Sequence, residues 1–135
     1  MQDTDVGQLM TEPVLTVEPE ALVDEIADAM LQEGIKSIVA IDDDCEPIGI
    51  LTSTDFVDIV AQGTPKTKTT VGDHMTTDII TTATDVPIPR VASRMVEHDI
   101  SHIPVVDKDG TAIGIISATD LTDYVAGMAV REPSE

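Results

Sequence analysis

The chain reads nearly the same way twice, 65 residues apart. Residues 6–61 laid over residues 71–126 need no gap, and 19 of the 56 positions are identical. Val6-Gly7 matches Val71-Gly72, Met10-Thr11 matches Met75-Thr76, and Asp42 matches Asp107. The strongest match sets Gly49-Ile50-Leu51-Thr52-Ser53-Thr54-Asp55 against Gly114-Ile115-Ile116-Ser117-Ala118-Thr119-Asp120. A repeat at a fixed offset constrains architecture more than any local propensity. Two copies are too few for a solenoid but enough for a pseudo-symmetric pair. The expectation is one shared core, with clefts between the copies where a ligand can sit.

Composition narrows the classes. At 135 residues and 41% apolar content the chain is long enough for one packed unit, or two subdomains, and is not globally disordered. One Phe, one Tyr and no Trp make the core aliphatic. No apolar run approaches the ~18 residues of a membrane span. Met1-Gln2-Asp3-Thr4-Asp5 has neither the basic nor the apolar part of a secretory signal. A single cysteine, Cys45, excludes an internal disulfide framework and fits a reducing cytoplasm. The net charge of −19, from 26 acidic and 7 basic residues, repels nucleic acid and anionic membranes. In molar salt the screening length falls to ~3 Å and such self-repulsion nearly vanishes. The acidic, lysine-poor composition therefore points to a halophilic, salt-in cytoplasm, with a merely acidic mesophilic protein as the alternative.

Hydrophobic spacing places the elements. A short turn (residues 6–11 and 71–76) leads to an extended piece at 14–17 or 79–82. A helix is expected over 19–33, with Leu22, Ile26, Ala29 and Met30 on one face, Pro19 in its first turn and Gly34 as its stop. Strands follow at 37–41 and 47–51 around the turn Asp42-Asp43-Asp44, then a helix near 53–61. The second copy repeats this with strands at 103–106 and 112–116 and a helix at 119–126. Val86-Pro87-Ile88-Pro89 breaks the likeness, so the second long helix is expected to start near Pro89 and run about a turn shorter. Residues 62–70, with Gly63, Pro65, Lys66 and Lys68, read as a linker, and residues 127–135 as a tail.

Strand, helix, strand, strand, helix, given twice, resembles the cystathionine-β-synthase (CBS) domain, and the tandem resembles a CBS pair, or Bateman module. The signature is a Gly-apolar-x-Ser/Thr-x-x-Asp turn, here Gly49…Thr52…Asp55 and Gly114…Ser117…Asp120. Ser101-His102-Ile103-Pro104-Val105-Val106-Asp107 is similar to the family's lead-in to its second strand. The first copy, Lys36-Ser37-Ile38-Val39-Ala40-Ile41-Asp42, lacks the proline. The resemblance implies an α/β (α+β) fold of two pseudo-symmetric β-α-β-β-α repeats.

The repeated turn suits a ribonucleotide. A strand-to-helix turn aims backbone N–H groups at an anion. Thr52 or Ser117 adds a hydroxyl, and a carboxylate at Asp55 or Asp120 can accept from two ribose hydroxyls. Gly49 and Gly114 are expected to let a ligand approach the backbone. The alternative is structural: Thr54, Asp55, Thr119 and Asp120 serve only as caps or first-turn acids. The resemblance implies two ligand sites built from both copies. One joins Ser117, Thr119 and Asp120 with Thr16, Ala21, Ile35, Lys36 and Ser37. The other joins Thr52, Thr54 and Asp55 with Thr81, Val86, Ile100, Ser101 and His102. Ile115 and Ile50 would touch the base. Lys36 falls where the family places phosphate contacts, and His102 could serve the other site. His98 and His102 lack a third ligand at metal spacing. The Asp42 and Asp107 turns lack the closing acid of a calcium loop and read as hairpins.

Together these features lead to a non-catalytic sensor of an adenosine ligand: AMP, ADP or ATP, with S-adenosylmethionine or a dinucleotide as further options. The rival is a ligand-free dimerisation or scaffold module. No P-loop, nucleophile elbow, dinucleotide fingerprint or HExxH supports an enzyme. A homodimer is expected, through the stripes Phe56/Ile59/Val60 and Leu121/Tyr124/Val125, with an unknown regulated protein as partner.

Overall fold

The computed structural model describes residues 4–12, 14–63 and 67–127. Pro65 and Lys66 of the expected linker, and the tail from residue 128 on, lie outside them. The elements in chain order are α1 (Val6–Leu9), β1 (Thr16–Val17), α2 (Val23–Glu33), β2 (Ser37–Ile41), β3 (Pro47–Thr52), α3 (Ser53–Gln62), α4 (Val71–His74), β4 (Thr82–Ala83), α5 (Ile88–His98), β5 (His102–Val106), β6 (Ala112–Ser117) and α6 (Ala118–Val125).

The chain divides into two compact units: Val14–Ile79, and Met1–Pro13 together with Ile80–Glu135. The units are staggered against the sequence repeat. The short helix α1, at the head of the first copy, packs in the unit of the second copy, and α4 packs in the unit of the first. Each unit has its own cluster of buried apolar side chains.

In the unit Val14–Ile79 the sheet order is β1-β2-β3. β1 runs parallel to β2, with α2 between them in the chain, and β2 pairs antiparallel with β3. α2 buries Val23, Ile26 and Met30 against Ile38, Ala40 and Leu51 of the strands. It begins four residues later than the Pro19 signal predicts. The backbone just ahead of it is spent elsewhere: Val71 N–H donates to Ala21 O at 2.8 Å, and Val23 N–H to Thr69 O at 2.9 Å. Gly34 ends the helix in the left-handed conformation, φ 68°, as expected.

The other unit repeats the plan with β4-β5-β6. The expected shortening of its long helix does not occur: α5 is as long as α2, 11 residues, and starts at the equivalent position. Pro87 is its N-cap and Pro89 lies in its first turn, where a missing N–H breaks no intrahelical bond. A different proline alters the sheet. In the first unit Val39 N–H donates to Leu15 O at 3.0 Å, and Thr16 pairs with Val39. Pro104 stands at the matching position and has no N–H, so the parallel pairing there begins one residue later, at Thr82 with Val105.

Each hairpin is closed by an aspartate. Asp42 Oδ1 accepts from Asp44 N–H at 2.9 Å and Glu46 N–H at 3.0 Å. Asp107 Oδ1 accepts from Asp109 and Thr111 in the same way. One oxygen of each aspartate thus ties the turn to its own backbone amides, the hairpin role expected for both turns.

The signature glycines serve packing. Thr76 exchanges two backbone hydrogen bonds with Ile50, and Thr11 does so with Ile115. A Cβ on Gly49 would stand 2.5 Å from Met75 Sδ and 3.1 Å from Thr76 O; on Gly114, 2.9 Å from Met10 Sδ and 3.0 Å from Thr11 O. The space is filled by these segments rather than left for the ligand approach expected at both positions. A methionine tip moves cheaply but a bridged carbonyl does not. Gly49→Ala and Gly114→Ala should each cost about 1–3 kcal/mol in denaturant unfolding; unchanged stability would show that the bridge yields.

The helix stripes also divide. Phe56, Ile59 and Leu121 pack into the clusters of their own units. Val60 and Val125, equivalent residues, are 79% and 85% exposed.

Candidate functional site

The turn after the third strand is built alike in both units. In the first, Thr52 is the N-cap of α3, and Asp55 Oδ2 accepts from Thr52 N–H at 2.7 Å and Thr52 Oγ1 at 3.3 Å. In the second, Asp120 Oδ2 accepts from Ser117 N–H at 2.8 Å and Ser117 Oγ at 3.2 Å, and Asp120 N–H donates back to Ser117 Oγ. These are capping boxes, so the structural role weighed for Asp55 and Asp120 is present. It does not exhaust them. A carboxylate has about four acceptor positions. Asp55 Oδ1 makes no hydrogen bond among the described residues, and Asp120 Oδ1 accepts only a long 3.5 Å contact from Thr11 Oγ1. Each cap fixes one oxygen and leaves the half-buried group aimed, with acceptor capacity over.

Thr70 and Asp73 form the same box ahead of α4. There the amide and hydroxyl of Thr70 hold the fully exposed Asp73 carboxyl below the usual carboxylate range. Its capping contribution is therefore present above the ordinary carboxylate pKa and lost as pH falls through the lowered one. Thr70-x-x-Asp73 shows that a Ser/Thr-x-x-Asp box alone is a cap. The other two differ in following a sheet strand and heading helices of 10 and 8 residues.

Within each unit, strand pairing sets residues expected in one site beside the turn expected in the other. Ser37 pairs with Thr52, while Lys36 O accepts from Ser53 N–H at 3.0 Å and Ser53 Oγ at 3.2 Å. His102 pairs with Ser117, Ser101 O accepts from Ala118 N–H at 2.9 Å, and Ser101 Oγ lies 3.0 Å from His102 Nδ1. Thr16 is in β1, and Ala21 and Val86 lie half-buried against the clusters of their units. Ile35 and Ile100 each donate a backbone bond to the last turn of the preceding helix, at Met30 O and Met95 O. Ile50 and Ile115 are buried, 4% exposed each. Thr54, Thr81, Thr119 and the Lys36 side chain are exposed. His98 ends α5 and His102 opens β5, and among the described residues no three His, Cys, Asp or Glu are grouped to hold a metal.

One groove lies wholly within the second unit. About 140 Å³ in volume, it is lined by Thr81, Thr82, Val86, Arg90, Val91 and Arg94. Only Thr81 and Val86 of this lining stand out in the sequence through the resemblance. The arginines are visible there by another signal, a charge difference between the copies: Glu25 and Ala29 occupy the matching positions of the first.

The CBS domain family model matches residues 6–62 and again 71–127. The chain belongs to the CBS domain family. CBS pairs are regulatory binding modules rather than catalysts. An uncharacterized protein of Methanopyrus kandleri is 34% identical over 122 residues, 90% of this chain and 62% of its own length. A homoserine O-acetyltransferase of Methanococcoides burtonii is 36% identical over 122 residues, 90% of this chain but only 24% of that enzyme. Among solved structures, the CBS domain pair of protein MJ0100, in complex with 5′-methylthioadenosine and S-adenosyl-L-methionine, superposes with a TM-score of 0.82 at 28% identity, covering 93% of this chain and 98% of that one. An uncharacterized conserved protein from Pyrococcus horikoshii gives 0.79 at 28%, covering 100% and 98%. No helix among the described residues is long and apolar enough to cross a membrane.

Proposed function

We propose that this CBS pair senses an adenosine-containing ligand and makes or breaks no bond. The observation that carries the reading is the twice-built turn, in which Asp55 and Asp120 each hold one carboxylate oxygen on the helix cap and keep acceptor capacity on the other. Vicinal ribose hydroxyls suit such a group, and the N-terminal amides of α3 and α6 suit an anion. The adenosine compounds bound by the MJ0100 pair support the same class. The remaining contacts are proposed at the positions given by the family resemblance, with Lys36 and His102 as polar partners of the ligand. Binding would act by population shift, favouring the arrangement in which the ligand's contacts are made, which a regulated protein reads.

A homodimer is proposed with it. Leu31 and Val96, and Val60 and Val125, are apolar pairs at matching positions of the two copies, 79–85% exposed. Apolar residues kept exposed at the same place twice fit surfaces covered by a second copy under two-fold symmetry. The same observation favours the second reading, an empty dimerisation module. Thermal shift in molar potassium chloride with AMP, ADP, ATP, S-adenosylmethionine, 5′-methylthioadenosine and NAD separates the two. A ligand at about 100 times its Kd adds about 2.7 kcal/mol, a shift of several degrees. No shift with any compound would favour the empty module. The acidic composition supports a salt-rich cytoplasm as the setting.

A further inference from the structure

Arg90 and Arg94 stand four residues apart on α5, so they share one helix face, the one that lines the groove beside Thr81 and Thr82. Like charges at this spacing repel, and Arg90 lies in the first helical turn, where the helix dipole disfavours a cation. Neither guanidinium has a hydrogen bond or ion pair among the described residues, in a chain with 26 carboxylates. The first copy is the internal control. The first two turns of α2 carry Asp24, Glu25 and Asp28; those of α5 carry Arg90 and Arg94 and no acid. α2, α3, α4 and α6 each carry an acid in the first turn, and α5 reverses the sign. A bound anion would relieve both the arginine–arginine repulsion and the dipole mismatch.

Size limits what that anion is. Sites for whole drug-sized ligands run to about 300–1,000 Å³. The groove, at about 140 Å³, is smaller than that and suits a compact anionic group such as phosphate rather than a whole nucleotide. Two guanidiniums and two threonine hydroxyls supply donors suited to phosphate oxygens, and Val86 and Val91 form an apolar wall. Thr81 and Val86 also belong to the residues that the resemblance gives to the adenosine ligand.

We propose that the Arg90–Arg94 groove binds the phosphate tail of the ligand, so that this protein selects a nucleoside polyphosphate over uncharged or cationic adenosine thioethers and sulfonium compounds. The proposal rests on the adenosine reading above. Its test is calorimetric titration of the full chain, wild type and Arg90→Ala/Arg94→Ala, with ATP, 5′-methylthioadenosine and inorganic pyrophosphate, with melting curves alongside. The expected result is an ATP affinity about tenfold or more lower in the variant, unchanged affinity for 5′-methylthioadenosine, and a melting midpoint no lower than wild type. Equal ATP affinity in the two proteins, or wild-type preference for 5′-methylthioadenosine over ATP, would overturn the proposal and leave the adenosine reading standing. Pyrophosphate binding that the variant loses, with no adenosine compound bound, would uphold the groove as a free-phosphate site and overturn both its nucleotide assignment and the adenosine reading. Binding of none of the three by the wild type would end both.

Discussion

Moved from molar potassium chloride to dilute buffer, this protein should lose about 3 kcal/mol of stability, its melting midpoint falling by roughly 10 °C. The net charge of −19 is spread over a chain of 135 residues, and few of its carboxylates have a basic group to face. Among the described residues several aspartates are engaged with backbone amides and hydroxyls, among them Asp42 and Asp107 in the hairpins and Asp55, Asp73 and Asp120 at helix starts. Those bonds hold carboxylates in place without neutralising them. At 0.01 M salt the screening length is about 30 Å, comparable with the size of a small domain, so the acids repel one another across it; at 1 M it is about 3 Å and only adjacent charges interact. Unfolding relieves the repulsion, which is why low salt favours it. Melting curves over a potassium chloride series should rise steeply and then level. A flat series would remove the salt-rich setting and leave the fold untouched.

What could be read in advance followed from local pattern. β2 occupies the predicted residues 37–41, and β3 and β6 start where expected, because an apolar run bounded by an aspartate turn has one solution as a hairpin. Gly34 marks its helix end by the same local logic, in the left-handed conformation. Non-local pairing was not legible. Nothing around Thr11 or Thr76 announces that its backbone bridges Ile115 or Ile50, and so neither the stagger of the compact units nor the reason for Gly49 and Gly114 follows from the sequence. The start of α2 is hidden for the same reason, since partners at Thr69 and Val71 outweigh Pro19. At the candidate site, agreement between the two copies marks Asp55 and Asp120. Arg90 and Arg94 lie where the copies disagree, and likeness alone does not mark a reversal of charge.

The second large effect is on affinity. Asp55→Ala and Asp120→Ala each remove the acceptor from an N-cap amide, which should cost about 1 kcal/mol of stability, because the capping box is real in both. If each carboxylate also accepts from a ribose, its loss removes charge-assisted hydrogen bonds worth ~1.5–3 kcal/mol, a ten- to hundred-fold weakening. Asp73→Ala is the matched control. It breaks the same kind of cap, at Thr70, in front of a helix of only four residues. It should lower stability and leave affinity alone.

The most direct measurement is therefore calorimetric titration of ATP into the wild type, Asp55→Ala, Asp120→Ala and Asp73→Ala in molar potassium chloride, each checked for folding by its melting curve and for recovery of unaltered ATP. A sensor that holds the ribose at the repeated turn predicts binding without turnover, a ten- to hundred-fold loss in at least one of the first two variants, and wild-type affinity in Asp73→Ala. Binding that is equal in all four proteins would contradict the account, leaving Asp55 and Asp120 as helix caps and nothing more.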